Sequence, residues 1–158
     1  MKSLPLPNTM PPIEELIPHR GTMLLLDRVV EFEGEIAVAE YTPRRQAWYA
    51  DESGNMPPWI GIELMAQTVA AHVALTKKKQ GRSPKMGALL GTRSYHATAK
   101  SFTAVSPLRI RVQLLFDDAS SGLGAYGCTI EQEGAIVANA TLKVYEPEDF
   151  ELYMEENR

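Results

Sequence analysis

The segment that most constrains the fold is a predicted helix that is apolar on nearly every side. It begins at Pro57 and Pro58, because proline fixes the backbone angle that a first helical turn needs, and it ends at Gly81. Its apolar residues cover more than the single stripe of a surface helix. They are Ile60, Ile62, Leu64, Met65, Val69, Val73 and Leu75. Such a helix must be covered from several directions, which predicts a sheet around it.

Six strand-like segments flank this helix, and turn residues separate them. They cover residues 23–32, 36–41, 86–94, 108–116, 123–131 and 135–145. The first two form a predicted hairpin, and the short connections between the last four favour an antiparallel meander. The predicted fold is α+β, with an antiparallel sheet wrapped around one long central helix. It is a single domain over residues 1–158, with an extended arm at 1–11 and an acidic tail at 146–158.

Composition excludes several classes of protein. The chain has 158 residues and is 44% hydrophobic, which fits one core better than two. Acidic residues outnumber basic ones by 20 to 16, and no basic stripe is interleaved with aromatic residues, so nucleic acid is not an expected partner. No apolar run approaches the ~20 residues that span a bilayer, and the N-terminus lacks the apolar core of a signal peptide. We therefore expect a cytoplasmic protein without a membrane span.

Cysteine and histidine residues do not indicate metal or cofactor chemistry. Cys128 is the only cysteine and lies in a strand-like segment, so we interpret it as a packed thiol. The three histidines, His19, His72 and His96, are widely separated and lack the spacing of metal ligands. No nucleophile elbow or phosphate-binding loop is present. We expect no metal and no cofactor.

The opening turns of the helix carry a carboxylate, Glu63, and an amide, Gln67. Burial of an unpaired carboxylate costs several kcal/mol, so such a glutamate is usually ion-paired, hydrogen-bonded or used in chemistry. The four-residue spacing places both side chains on one helix face, where the amide can orient the carboxylate. A structural alternative is a glutamate satisfied by backbone donors or by an arginine. We favour chemistry, because Ala70, Ala71 and Ala74 continue this face and leave room for a ligand or a second copy of the helix.

Two motifs together resemble a known family. They are residues 16–29, which contain Leu-Ile-Pro-His-Arg, and residues 63–67, Glu-Leu-Met-Ala-Gln. The pair resembles the hot-dog-fold 3-hydroxyacyl-[acyl carrier protein] dehydratases of fatty-acid synthesis, in which a similar segment leads into the first strand and an E-x-M-A-Q run opens the central helix. Residues 56–59 and 89–93 are similar to the subgroup associated with aryl-polyene biosynthesis. The resemblance covers roughly residues 13–145.

The resemblance implies an enzyme that reversibly removes water from a 3-hydroxyacyl thioester and encloses the acyl chain at a dimer interface. The substrate is expected on acyl carrier protein, with coenzyme A as the other carrier. The expected assembly is a homodimer or higher oligomer, or a hetero-oligomer with another hot-dog protein. Two alternatives stay open: a thioesterase of the same fold in which Glu63 activates water, and a non-catalytic acyl-binding or partner subunit.

The chain departs from the family's pattern at two positions. The spacing of the family's catalytic histidine from the helix glutamate lands on Tyr49 in this sequence. The glycine whose N–H helps to polarise the thioester carbonyl corresponds to Pro58, which has no N–H. His19 is the best replacement histidine, taking the α-proton while Glu63 protonates the departing hydroxyl. The alternative role of His19 is structural.

The other residues expected to contact substrate surround this pair. They are Gln67, Gly61, Tyr49, Trp59, Tyr95 and His96. Gln67 would orient Glu63, and free N–H groups near Gly61 would polarise the carbonyl. Tyr49 would donate a proton or line the acyl tunnel. Tyr95 and His96 would reach the pocket from a strand end, or else belong to a solvated loop.

Overall fold

The computed structural model describes residues 10–82, 88–146 and 155. The helices and strands in these residues are α1 (Ile13–Leu16), β1 (Arg28–Glu33), β2 (Ile36–Tyr41), α2 (Gly61–Lys79), β3 (Ala88–Ala97), β4 (Leu108–Asp118), β5 (Leu123–Gln132) and β6 (Ala135–Tyr145). The long helix and the strands lie within a few residues of their predicted positions, except at the start of β1. The predicted arm and acidic tail lie almost entirely outside the described residues.

The strands form one antiparallel sheet in the order β1-β2-β4-β5-β6-β3. The predicted meander is therefore correct from β4 to β6 and wrong for β3, which pairs with β6 instead of β4. The connection from Ala97 to Leu108 is long enough to cross the end of the sheet, and Phe102 anchors it through an isolated bridge to Met56. β4 then pairs with β2. Strands from both sides of the helix in sequence thus share one sheet.

The first strand begins later than predicted, at Arg28 instead of near residue 23. A 3-10 turn covers Gly21–Met23, and residues 24–27 belong to no strand. Leu25 and Leu26 are buried, but their N–H groups donate to the side chain of Gln67 instead of a neighbouring strand. The apolar pattern correctly predicted burial. It predicted pairing wrongly because a side chain supplies the acceptor that buried N–H groups need.

The sheet wraps around α2, as the apolar helix predicted. A 3-10 turn over Pro58–Ile60 leads into α2, which packs against β1, β2, β4, β5 and β6. Leu64, Met65 and Leu75 are fully buried. Gly81 follows the helix with a φ of 70°, a left-handed conformation that suits glycine after a helix. No helix in the described part of the chain is both long and apolar enough to cross a membrane.

Cys128 and His72 are titratable side chains buried between α2 and the sheet. Cys128 of β5 is packed, as predicted, and burial raises the pKa of its thiol to about 12. His72 of α2 is bonded at both ring nitrogens: Nδ1 lies 2.8 Å from the Tyr126 hydroxyl, and Nε2 lies 2.9 Å from the Gly34 carbonyl oxygen. A carbonyl only accepts, so Nε2 carries the proton and Nδ1 accepts from Tyr126. This tautomer is neutral, and burial lowers the pKa of His72.

We expect the free energy of unfolding to fall as the pH drops below about 6.5, the ordinary pKa of histidine. The fold holds His72 neutral while the unfolded chain binds a proton at that pH, so acid favours unfolding. Burial outweighs the hydrogen bond to Gly34 and the charges of Glu35 and Asp117, which act in the opposite direction. Urea unfolding at a series of pH values from about 5 to 8 measures this dependence of the free energy of unfolding on pH. The stability of His72→Gln should depend less on pH, and an equal dependence in both proteins would contradict the prediction.

Candidate active site

Near the start of α2, His19 and Gln67 meet the carboxylate of Glu63. The carboxylate Oε1 of Glu63 lies 3.6 Å from Nε2 of His19. The same oxygen accepts a hydrogen bond of 2.9 Å from Nε2 of Gln67. Among the described residues, a histidine and a glutamine therefore hold this carboxylate, and the arginine of the structural alternative does not.

Gln67 is the buried centre of this arrangement, with 0% of its surface exposed. Its Nε2 donates to Glu63 and, over 2.7 Å, to the carbonyl oxygen of Met23. Its Oε1 accepts from the N–H groups of Leu25, at 3.1 Å, and Leu26, at 3.4 Å. One amide thus uses both of its donors and both of its lone pairs. It ties the carboxylate of the helix to the backbone segment that precedes β1.

His19 lies in a turn that Arg20 holds in place. The Arg20 guanidinium donates to the carbonyl oxygens of Ile17 at 2.8 Å, His19 at 2.6 Å and Glu14 at 2.6 Å. Within the described residues, Nδ1 of His19 is buried and has no hydrogen-bond partner, so Nε2 is the nitrogen presented to Glu63. No role was predicted for Arg20, although its place directly after the histidine of the motif pointed to it.

The site is more open than the apolar helix predicted. The side chain of Glu63 is 41% exposed in the single chain, and that of His19 is 26% exposed. Three large apolar side chains are also mostly exposed: Met23, Trp48 and Trp59. Trp59 precedes Glu63 by about one helical turn, and the indole N–H of Trp48 donates to the carbonyl of the residue before Met23. Glu63 is therefore partly open to solvent in a single chain.

Tyr49, predicted to donate a proton or line the tunnel, is buried with its hydroxyl already engaged. It shares a hydrogen bond with the hydroxyl of Tyr41 and accepts one of 2.9 Å from the N–H of Arg44. Burial and this contact with Tyr49 raise the pKa of Tyr41. In the part of the chain that the structure describes, no hydrogen bond joins these tyrosines to His19 or Glu63. The structure thus does not bring Tyr49 into the constellation at the helix start.

The first turn of α2 offers fewer free donors than predicted. Pro58 has no N–H, and the N–H of Gly61 donates to the carbonyl oxygen of Pro58. The N–H of Gly61 itself is therefore not free. The same carbonyl accepts a hydrogen bond from the hydroxyl of Tyr95 in β3. His96 is exposed and pairs with Asn139 of β6, so of the two β3 residues only Tyr95 is brought to the helix start.

A sheet wrapped around one helix, with an acid and a histidine at the start of that helix, defines the hot-dog class that the two sequence motifs predicted. A sequence model described as ApeP-like, ApeP dehydratase, matches residues 11–155. The chain belongs to this ApeP-like dehydratase family. The prediction of a dehydratase is confirmed at the level of the family.

Relatives and a solved structure agree with this assignment. A protein from Clostridium acetobutylicum described as 3-hydroxyacyl-[acyl-carrier-protein] dehydratase FabZ is 31% identical over 140 residues, which cover 84% of this chain and 94% of the relative. A FabZ protein from Latilactobacillus sakei is 33% identical over 137 residues, covering 82% of this chain and 93% of the relative. The solved dehydratase heterocomplex ApeI:P from Xenorhabdus doucetiae matches with a TM-score of 0.84 and 26% identity, over 94% of this chain and 99% of that one. The predicted fold is confirmed.

Proposed function

We propose that this protein removes water from 3-hydroxyacyl thioesters carried on acyl carrier protein, in the biosynthesis of aryl polyenes. The observation that carries the proposal is the approach of His19 and Glu63 to 3.6 Å at the start of α2, where both side chains are partly exposed. Elimination of water needs a base and an acid near the same two substrate carbons, and this pair supplies both. The names of the FabZ relatives support acyl carrier protein as the carrier.

The proposed reaction moves two protons. Nε2 of His19 takes the proton from the carbon next to the thioester carbonyl, and the electrons of that C–H bond form the new double bond. Protonated Glu63 gives its proton to the β-hydroxyl, which leaves as water. For His19 to act as the base, its own proton must sit on Nδ1, where the described residues offer no acceptor. The imidazolium is then stabilised by the new Glu63 carboxylate, and transfer of a proton between them restores the starting state.

The helix start supports this chemistry electrostatically. Glu63 lies in the first turn of α2, where the positive end of the helix dipole favours negative charge. Because the N–H of Gly61 is engaged, we assign polarisation of the thioester carbonyl to this dipole instead of to that group. Gln67 keeps the carboxyl group of Glu63 at a fixed position in front of the dipole.

Product analysis by mass spectrometry tests the proposal. The chain is incubated with a 3-hydroxyacyl carrier protein and, in parallel, with the matching coenzyme A thioester. We expect a product that is lighter by one water and keeps its thioester bond. Free 3-hydroxy acid would support the thioesterase of the same fold instead. Turnover of the coenzyme A thioester alone would contradict acyl carrier protein as the carrier.

A second candidate function is that of a subunit that acts only in complex with another hot-dog protein. The family's usual histidine position falls on Tyr49, whose hydroxyl is hydrogen-bonded to that of Tyr41. The similar solved structure is a dehydratase heterocomplex, and the large apolar side chains of Met23, Trp48 and Trp59 are mostly exposed in the single chain. Co-purification with a second hot-dog protein, with turnover only in the mixture, would support this role. Turnover by the chain alone would exclude it.

A further inference from the structure

The start of α2 is held by a tyrosine from the edge strand β3. Neither the 3-10 turn nor α2 begins with a side-chain cap. Instead, the carbonyl oxygen of Pro58 accepts two hydrogen bonds, one from the N–H of Gly61 and one from the hydroxyl of Tyr95. Burial raises the pKa of the Tyr95 hydroxyl to about 12, so this group stays protonated and donates at neutral pH.

The absence of a side chain at Gly61 leaves space for this tyrosine. Its φ of −55° and ψ of −32° are ordinary helical angles, so glycine is not needed for its backbone freedom. A Cβ at this position would overlap the Tyr95 hydroxyl and would lie 3.2 Å from Cδ1 of Ile130. The missing side chain is what lets the ring of Tyr95 reach the carbonyl of Pro58. Both partners of the contact are therefore adapted to it.

We propose that Tyr95 is a positioning residue of the dehydratase site, which fixes the first turn of α2 and thereby the place of Glu63. This inference rests on the function proposed above. Glu63 follows Pro58 by little more than one helical turn, so a shift of that turn moves its backbone directly. A misplacement of about 1 Å at a reacting group costs roughly a hundredfold in rate. Among the described residues, no hydrogen bond joins Tyr95 to Glu63 or His19, so it acts through the helix start.

Tyr95→Phe tests the proposal, because it removes the hydroxyl and keeps the ring. We expect kcat to fall roughly tenfold while KM changes by less than about twofold, since placement is lost and binding is kept. The matched control is Tyr126→Phe, which removes a hydroxyl bonded to His72 further along α2. The control should lower the melting temperature at least as much and leave kcat unchanged. A kcat of Tyr95→Phe equal to that of the wild-type protein would overturn the proposal.

Gly61→Ala tests the same contact from its other side. The new methyl group displaces the Tyr95 hydroxyl, so kcat should fall at least as far as in Tyr95→Phe, and the melting temperature should fall further. In the double variant the clashing hydroxyl is gone, so the melting temperature should recover in part while kcat stays at the level of Tyr95→Phe. If the losses of kcat and of melting temperature in the two single variants simply add in the double variant, a direct coupling between Tyr95 and Gly61 would be contradicted.

Two further measurements separate this inference from the proposed function. Amide hydrogen exchange of Gly61 needs no turnover, and it should be faster in Tyr95→Phe because the carbonyl of Pro58 is less firmly held. Glu63→Gln is assayed in the same assembly, whether the chain alone or its complex with a hot-dog partner. Full activity of Glu63→Gln would overturn the proposed function. A different result would overturn only the role of Tyr95. In that result Glu63→Gln loses activity, while Tyr95→Phe keeps the wild-type kcat and the wild-type rate of Gly61 amide exchange.

Discussion

Glu63→Gln is expected to lower the turnover of 3-hydroxyacyl carrier protein by roughly a hundredfold to ten-thousandfold, the range that general acid and base groups contribute. Glutamine has nearly the same shape and can still accept the hydrogen bond from Gln67, but it has no proton to give to the departing hydroxyl. KM should change little, because binding is kept. Steady-state rates of enoyl-thioester formation measure both constants.

The matched control for this change is Glu31→Gln, which makes the same chemical replacement on the exposed side of β1 and should leave turnover unchanged. His19→Gln should lose activity to a similar extent. The double variant should lose little more than either single one, because groups that act as a unit are not additive. Full turnover by a folded Glu63→Gln would reject the assignment of the acid.

Gln67→Leu is expected to cause the largest loss of stability, about 3 kcal/mol or more in the free energy of unfolding. The N–H groups of Leu25 and Leu26 and the carbonyl of Met23 lose their partner. Each buried backbone group left without a hydrogen bond costs about 1–3 kcal/mol. Glu63 also loses the donor that orients it, so kcat should fall as well. Urea unfolding measures the stability.

Thr68→Val is the matched control, since Thr68 is also fully buried and its hydroxyl donates over 2.8 Å to the Leu64 carbonyl. That carbonyl can keep its bond within the helix, so a loss of about 1 kcal/mol or less is expected. Gln67→Glu keeps an acceptor for Leu25 but places a second carboxyl group beside Glu63. It should be more stable than Gln67→Leu and still have a low kcat. A loss in Gln67→Leu no larger than that in Thr68→Val would contradict the role of Gln67.

The helix and most strands could be predicted because their patterns are local. Residues 135–145 alternate in a way typical of a strand, and they form β6 with these limits. The place of β3 was predicted wrongly, because pairing depends on contacts that are distant in sequence. β3 lies beside β6, and the connection that makes this possible is anchored by Phe102 on Met56. The sequence of this connection alone does not distinguish the observed pairing of β3 with β6 from a meander in which β3 pairs with β4.

The candidate site shows the same division. The contact between Glu63 and Gln67 follows from their helical spacing, so sequence predicted it. The approach of His19 to Glu63 was predicted only through the resemblance to a family, because a whole hairpin separates the two residues. The partnership of Tyr49 with Tyr41 was missed, since it arises from tertiary packing of a loop that carries no regular pattern. The catalytic roles themselves stay predictions.

The pairing of β2 with β4 is expected to slow the folding of this chain. The ion pair between Arg109 and Glu40 across these strands joins residues 69 positions apart. Such distant contacts raise the contact order, and the entropy of closing the long intervening loop must be overcome before they form. Until β4 pairs with β2, only β1 and β2 of the sheet can cover α2, and the face of α2 that packs on β4, β5 and β6 stays open to aggregation. The nascent chain therefore cannot complete the cover of its core until β4 has been synthesised.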